Sequence, residues 1–173
     1  MRLGIRYGRF ADFDHEKRHM SVAFRRESDE EHLEPKFEIP IPPGPNLVTA
    51  RGLALIQAKV TEFEAFLPTL EEGTELDKAK RNLRYWRTRQ ATAELAPEPD
   101  GEAVAFGCTV TYRLNGKERT LTLVGDDEAD PVAGLIAFSA PLARAMMEAE
   151  VGEFVAYGGK DDAIEIVAIE RAA

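Results

Sequence analysis

Two clusters of carboxylates hold most of the chemistry this chain could do. One is Asp126, Asp127, Glu128 and Asp130, in the stretch LVGDDEADP. The other is Glu71, Glu72, Glu75 and Asp77, in LEEGTELD. Acids this close together suit two tasks: holding a divalent cation, or meeting a basic protein surface. The first cluster lacks the spacing of a Ca²⁺-binding loop, which argues against a metal site there. In the second, Glu75 and Asp77 fall where a helix N-terminus stabilises acids by about 0.3–1 kcal/mol. A capping and solubility role therefore stands beside a metal-directed one.

Other chemistries are short of residues. His15, His19 and His32 all lie near the N-terminus, so none can serve a Ser/His or Cys/His pair, or a zinc site, in the part that reads as folded. Cys108 is the single cysteine, which rules out an intramolecular disulfide and suits a reducing cytoplasm. It falls on an expected strand, as a small apolar residue. There is no Gly-rich phosphate loop, no long apolar run and no cleavable signal. The expectation is a cytoplasmic, monomeric protein with no membrane contact, no cofactor or metal of its own and no self-contained enzyme activity. Its formal charge is −9, and residues 97–173, with fifteen acids against six bases, account for all of it. Such a module does not suit a phosphate backbone.

The elements that must position these acids follow from periodicity. Residues 1–46 show no sustained period and end in the proline-rich IPIPPGP, so they read as an extended or disordered segment. Met20 opens a second plausible start, MSVAFRRESDEE. From Thr49, an expected N-cap, Leu53, Ile56, Val60, Phe63 and Leu67 recur at alternating spacings of three and four. This predicts a helix over Ala50–Leu67, about 27 Å long, that ends at Pro68. Thr74 with Asp77 suggests a capping box, and Leu76, Ala79, Leu83, Trp86, Gln90 and Ala93 continue as a second seam, with Trp86 sealing it. Residues 47–95 thus read as an antiparallel helical hairpin. Its second helix carries Lys78, Lys80, Arg81, Arg84, Arg87 and Arg89. These form either a solvated face paired with Glu62 and Glu64, or a basic ridge for an acidic partner or nucleic acid.

Residues 96–103 read as a linker, and residues 104–173 as a small sheet with one helix. Strands are expected over Val104–Arg113 and Glu118–Gly125 around the Asn115-Gly116 turn, then Leu135–Phe138, Glu153–Tyr157 and Ala163–Glu170. On the last, Ile164, Ile166 and Ala168 share a face. Ser139 is an expected cap, with Pro141 in the first helical turn and Leu142 facing inward. The fold class is α+β.

FGCTVTY, LVGDDEADP, SAPLARAMM, VGEFV and IEIVAIE together resemble the C-terminal domain of the bacterial transcript-cleavage factors GreA and GreB. NLVTARGLALI and NLRYWRTR resemble the two arms of that family's coiled-coil hairpin, so the likeness runs over residues 46–173. The resemblance implies an FKBP-like half-barrel that docks on bacterial RNA polymerase at its secondary channel, with nucleic acid met only through the polymerase. Docking would fall to Asp126, Asp127, Glu128, Asp130, Pro131, Ser139, Pro141 and Leu142. The hairpin tip would approach the polymerase's Mg²⁺ and promote cleavage of backtracked RNA, the chemistry belonging to the polymerase. The family tip reads G-D-x-x-E-N-A-x-Y, and EEGTELDKAK does not match it. Both arms are also shorter than the family's. The alternatives are therefore a factor that occupies the channel without cleavage, or an FKBP-like isomerase using Phe106, Tyr112, Phe138, Phe154 and Tyr157.

Overall fold

The computed structural model describes residues 38–171, a mixed helix and sheet protein. The expectations for residues 1–37, the Met20 start among them, lie outside the described residues. Strand β1 (Leu47–Val48) leads into helix α1 (Ala50–Phe66), and a 3-10 turn (Leu67–Thr69) follows it. Helix α2 (Thr74–Ala91) then runs into β2 (Glu94–Leu95). Thr49 caps α1 as its side chain implies, accepting from the Gly52 N–H at 2.9 Å. Ile56 and Val60 on α1 and Ala79 and Leu83 on α2 are buried along the seam. Asn46, just before α1, donates to the Arg89 carbonyl at 2.7 Å near the end of α2, and β1 pairs with β2. The way into the helix pair is thereby laced to the way out.

One local expectation fails here. The capping box at Thr74 does not form: Gly73 is the N-cap, at φ 151°, and no side chain bonds to that helix end. A glycine in that backbone region takes the turn with no steric cost and moves Thr74 into the helix. Trp86 is half-buried and sets its ring edge-on to Tyr85, 5.2 Å between centroids.

The rest of the chain builds a five-stranded sheet in the order β5-β4-β3-β7-β6. Its strands are β3 (Cys108–Leu114), β4 (Lys117–Val124), β5 (Leu135–Ala137), β6 (Phe154–Tyr157) and β7 (Lys160–Arg171). Helix α3 (Pro141–Met146) adds to its core. β3 starts later than the pattern predicts, because Ala105–Gly107 turns the chain and only Ala103 bridges, to Glu150. Asn115 and Gly116, at φ 51° and 73°, make the tight turn between β3 and β4. Cys108, Val110, Leu123, Met146, Ile164 and Ile166 are fully buried. Each large side chain among them contributes roughly 1.5–3 kcal/mol of apolar burial.

A bulge resets β7. Tyr112 faces Ile166, but Thr111 faces Ala168 and Val110 faces Ile169, so Val167 is the extra residue. Ile169, not Ala168, therefore returns to the core face beside Val110. The helix cap expected at Ser139 also does not form: Ala140 is the N-cap of α3, with Pro141 first in the helix. No helix among the described residues is long and apolar enough to cross a membrane.

Candidate functional site

The acidic stretch after β4 folds into two consecutive 3-10 turns, Asp126–Glu128 and Pro131–Ala133, and the two face different ways. The first turns inward, against the base of the helix pair. The Tyr85 hydroxyl donates to Asp127 Oδ1 at 2.6 Å, and Arg89 Nε donates to Asp127 Oδ2 at 2.5 Å. The side chains of Arg89 and Asp127 are only 2% and 6% exposed. Arg89 also lies 4.0 Å from Asp126, whose other oxygen accepts from the Ser139 hydroxyl. Glu128, 4% exposed, accepts from Thr49 Oγ1 and Arg51 Nε, both at 2.6 Å. Adjacent acids thus hold different helices: Asp127 holds α2, and Glu128 holds the start of α1.

Burial raises the Tyr85 pKa well above the ordinary phenol range, and its bond to Asp127 and that residue's charge add to the effect. Tyr85 is therefore a permanent donor at neutral pH. Burying an ion pair costs desolvation, which the Tyr85 bond and the Asp126 carboxylate 4.0 Å from Arg89 help to offset here.

The second turn faces outward. Asp130 Oδ1 accepts from the N–H groups of Val132 and Ala133 at 3.1 and 3.3 Å, which fixes the turn. Val132 is left 99% exposed at its apex. Asp130, Pro131, Ser139 and Pro141 are exposed, and Leu142 is half-buried against the core. Of the eight residues expected to dock, Asp127 and Glu128 are thus turned into the molecule, and Asp126 is half-buried beside them.

The basic ridge is largely consumed within the chain. Arg84 forms a two-pronged bond to Glu38, which lowers the Glu38 pKa through that hydrogen bond. Arg87 bonds to Glu64 at 2.8 Å and Lys78 to Glu75 at 3.3 Å. Arg89 is buried, Arg81 is half-buried and Lys80 is exposed. Glu62 pairs with Lys59 on its own helix, not across the hairpin.

At the tip, Glu71, Glu72, Glu75 and Asp77 are all exposed, and Phe66, the last residue of α1, is half-exposed. Among the described residues no three His, Cys, Asp or Glu side chains cluster closely enough to hold a metal ion. A cleft of about 480 Å³ lies where the start of α1 meets the sheet, lined by Arg51, Leu95, Phe106, Val124, Leu135 and neighbouring residues. Of the five aromatics that an isomerase pocket would need, Phe106 alone lines it, and Tyr112 is buried in the core.

Sequence reasoning missed Thr49 and Arg51 as partners of Glu128, and Tyr85 and Arg89 as partners of Asp127. One signal was available for the second pair: Tyr85 and Arg89 are four residues apart and share a helix face.

The family model described as "Transcription elongation factor, GreA/GreB, C-term" matches residues 98–171. A transcription elongation factor GreA from Allorhizobium ampelinum is 43% identical over 130 residues, covering 72% of this chain and 81% of the relative. The GreA of Maricaulis maris is 44% identical over 119 residues, 57% of this chain and 76% of the relative. For the GreA of Thioalkalivibrio sulfidiphilus, 45% identity over 75 residues covers 40% of this chain and only 47% of the relative's length. With a relative matched over four-fifths of its length across both the helix pair and the sheet, this chain belongs to the GreA/GreB family of transcription elongation factors.

Proposed function

We propose that this protein binds bacterial RNA polymerase at its secondary channel and regulates elongation by occupying that channel with its helical hairpin. The sheet with α3 is read as the family's FKBP-like docking unit. The outward 3-10 turn with Val132 at its apex, next to Asp130, Pro131, Ser139 and Pro141, is read as the contact surface. An apolar apex on a braced turn suits a partner with an apolar recess and a polar rim.

The single observation that favours occupancy over cleavage is the length of the arm. α1 has 17 residues, a rod of about 25 Å. A carboxylate acts on a metal only by direct contact or through one water, so a shortfall of one helical turn removes the effect. Cleavage would require one of the exposed tip acids Glu71, Glu72, Glu75 and Asp77 to reach the polymerase Mg²⁺ and complete two-metal chemistry.

Stalled elongation complexes carrying backtracked, 3′-labelled RNA test this reading. Added protein is expected to leave the RNA length unchanged and to protect it from an active cleavage factor. Release of short 3′ fragments, abolished by alanine substitution of Glu71, Glu72, Glu75 and Asp77, would establish cleavage instead.

A further inference from the structure

We propose that Asp127 and Glu128 are positioning residues: they set the direction in which the hairpin points from the sheet, and are thereby withheld from any partner. The consequence for polymerase rests on the function proposed above, whereas the clamp itself concerns this chain alone.

The geometry is that of a two-point hold. One peptide bond separates the two acids, yet Asp127 holds α2 through Arg89 and Tyr85, and Glu128 holds α1 through Thr49 and Arg51. The hairpin cannot swing about the joint without breaking at least one of these contacts. β1 and β2 are paired, and Asn46 bonds across to Arg89 and Thr92, so the two helices move as one piece.

Two close approaches deny the joint slack. A Cβ on Gly125 would meet the Leu47 carbonyl oxygen at 2.7 Å, which is backbone and cannot yield alone. A Cβ on Gly52 would meet Glu128 Oε2 at 2.7 Å, and that oxygen is already held by Thr49. Gly125 has ordinary φ and ψ of −66° and 160°, so contact with the hairpin base, not backbone freedom, explains the residue there. The setting of this joint matters at the far end: over a helix of about 25 Å, a tilt of about 10° moves the tip by about 4 Å.

The test is a pair of spin labels on the full chain, at Glu72→Cys and Lys117→Cys, with buried Cys108 replaced by alanine, read by double electron–electron resonance. The parent should give one narrow distance distribution. Asp127→Asn, which removes the charge, and Gly125→Ala, which wedges the joint, should each broaden or shift it while far-UV dichroism stays native. Lys59→Ala, which breaks only a surface pair, should leave it unchanged. A broad distribution in the parent, or an unchanged one in both joint variants, overturns the clamp.

A second readout separates positioning from docking. Asp127→Asn should bind core RNA polymerase within about twofold of the parent but lose most of its effect on elongation. A tenfold loss of affinity with an unchanged distance distribution would make Asp127 a docking residue and overturn the proposal. If the parent fails to bind polymerase, the function proposed above falls, while the distance measurements still decide the clamp.

Discussion

Arg89 and Asp127 are 38 residues apart in sequence and meet at 2.5 Å with both side chains almost wholly out of water. Each solves the other's problem. A guanidinium on a helix facing the sheet would be stranded without an anion, and an acid at the end of β4 would be stranded without a cation. Tyr85 donates to the other oxygen of the carboxylate. The acidic run that looks on paper like a solvent-facing docking loop therefore spends two of its acids inside the protein.

Removing one member should cost far more than removing both. Arg89→Ala leaves a buried carboxylate without its cation and is expected to lower stability by about 3–5 kcal/mol in urea unfolding. Arg89→Met with Asp127→Leu replaces the pair by apolar groups and should recover most of that loss. Equal losses in the single and double variants would mean that the pair contributes through packing alone.

Tyr85 gives the joint an alkaline limit. Its folded pKa is raised, above all by burial, so the folded state keeps the phenolic proton after the unfolded chain, near pH 10, begins to lose it. The stability this provides is fully present below about pH 10 and falls as pH rises toward the folded value. Denaturation midpoints between pH 9 and 11 should decline more steeply for the parent than for Tyr85→Phe. Parallel curves would contradict the assignment.

Two glycines should fail differently. Gly116→Ala forces a side chain into φ +73° in an open turn, with expected cost about 1 kcal/mol and no effect on hairpin direction. Gly125→Ala has no φ problem and should act through the Leu47 carbonyl. Thermal melts give the first effect, and the label distances described above give the second.

Much of this fold is legible in the sequence, because the relevant forces are local. The spacing of Ile56, Val60, Ala79 and Leu83 reports a seam, Thr49 reports a cap, and Asn115-Gly116 reports a turn. The failures come where a distant group competes. Ser139 has the chemistry of a helix cap, yet its hydroxyl goes to Asp126. Ala168 continues the alternation of β7, yet a bulge gives its place on the core face to Ile169. Arg89 reads as one more base on a charged helix face, and only the face it shares with Tyr85, four residues earlier, hints at its burial. The inward and outward halves of GDDEADP differ only in which residues, 38 to 79 positions away, are there to meet them.

The tip acids should be dispensable for the fold. Glu71→Ala and Glu72→Ala alter exposed residues in a turn and are expected to change stability by less than about 0.5 kcal/mol. They should also leave polymerase affinity unchanged, which a titration of the variant checks.

Binding of the full chain to core RNA polymerase, followed by fluorescence anisotropy, tests the central claim most directly. The expected result is saturable binding that Val132→Asp weakens at least tenfold and that the Glu71 and Glu72 substitutions leave alone. Absence of saturable binding, or equal binding by Val132→Asp, would contradict the account.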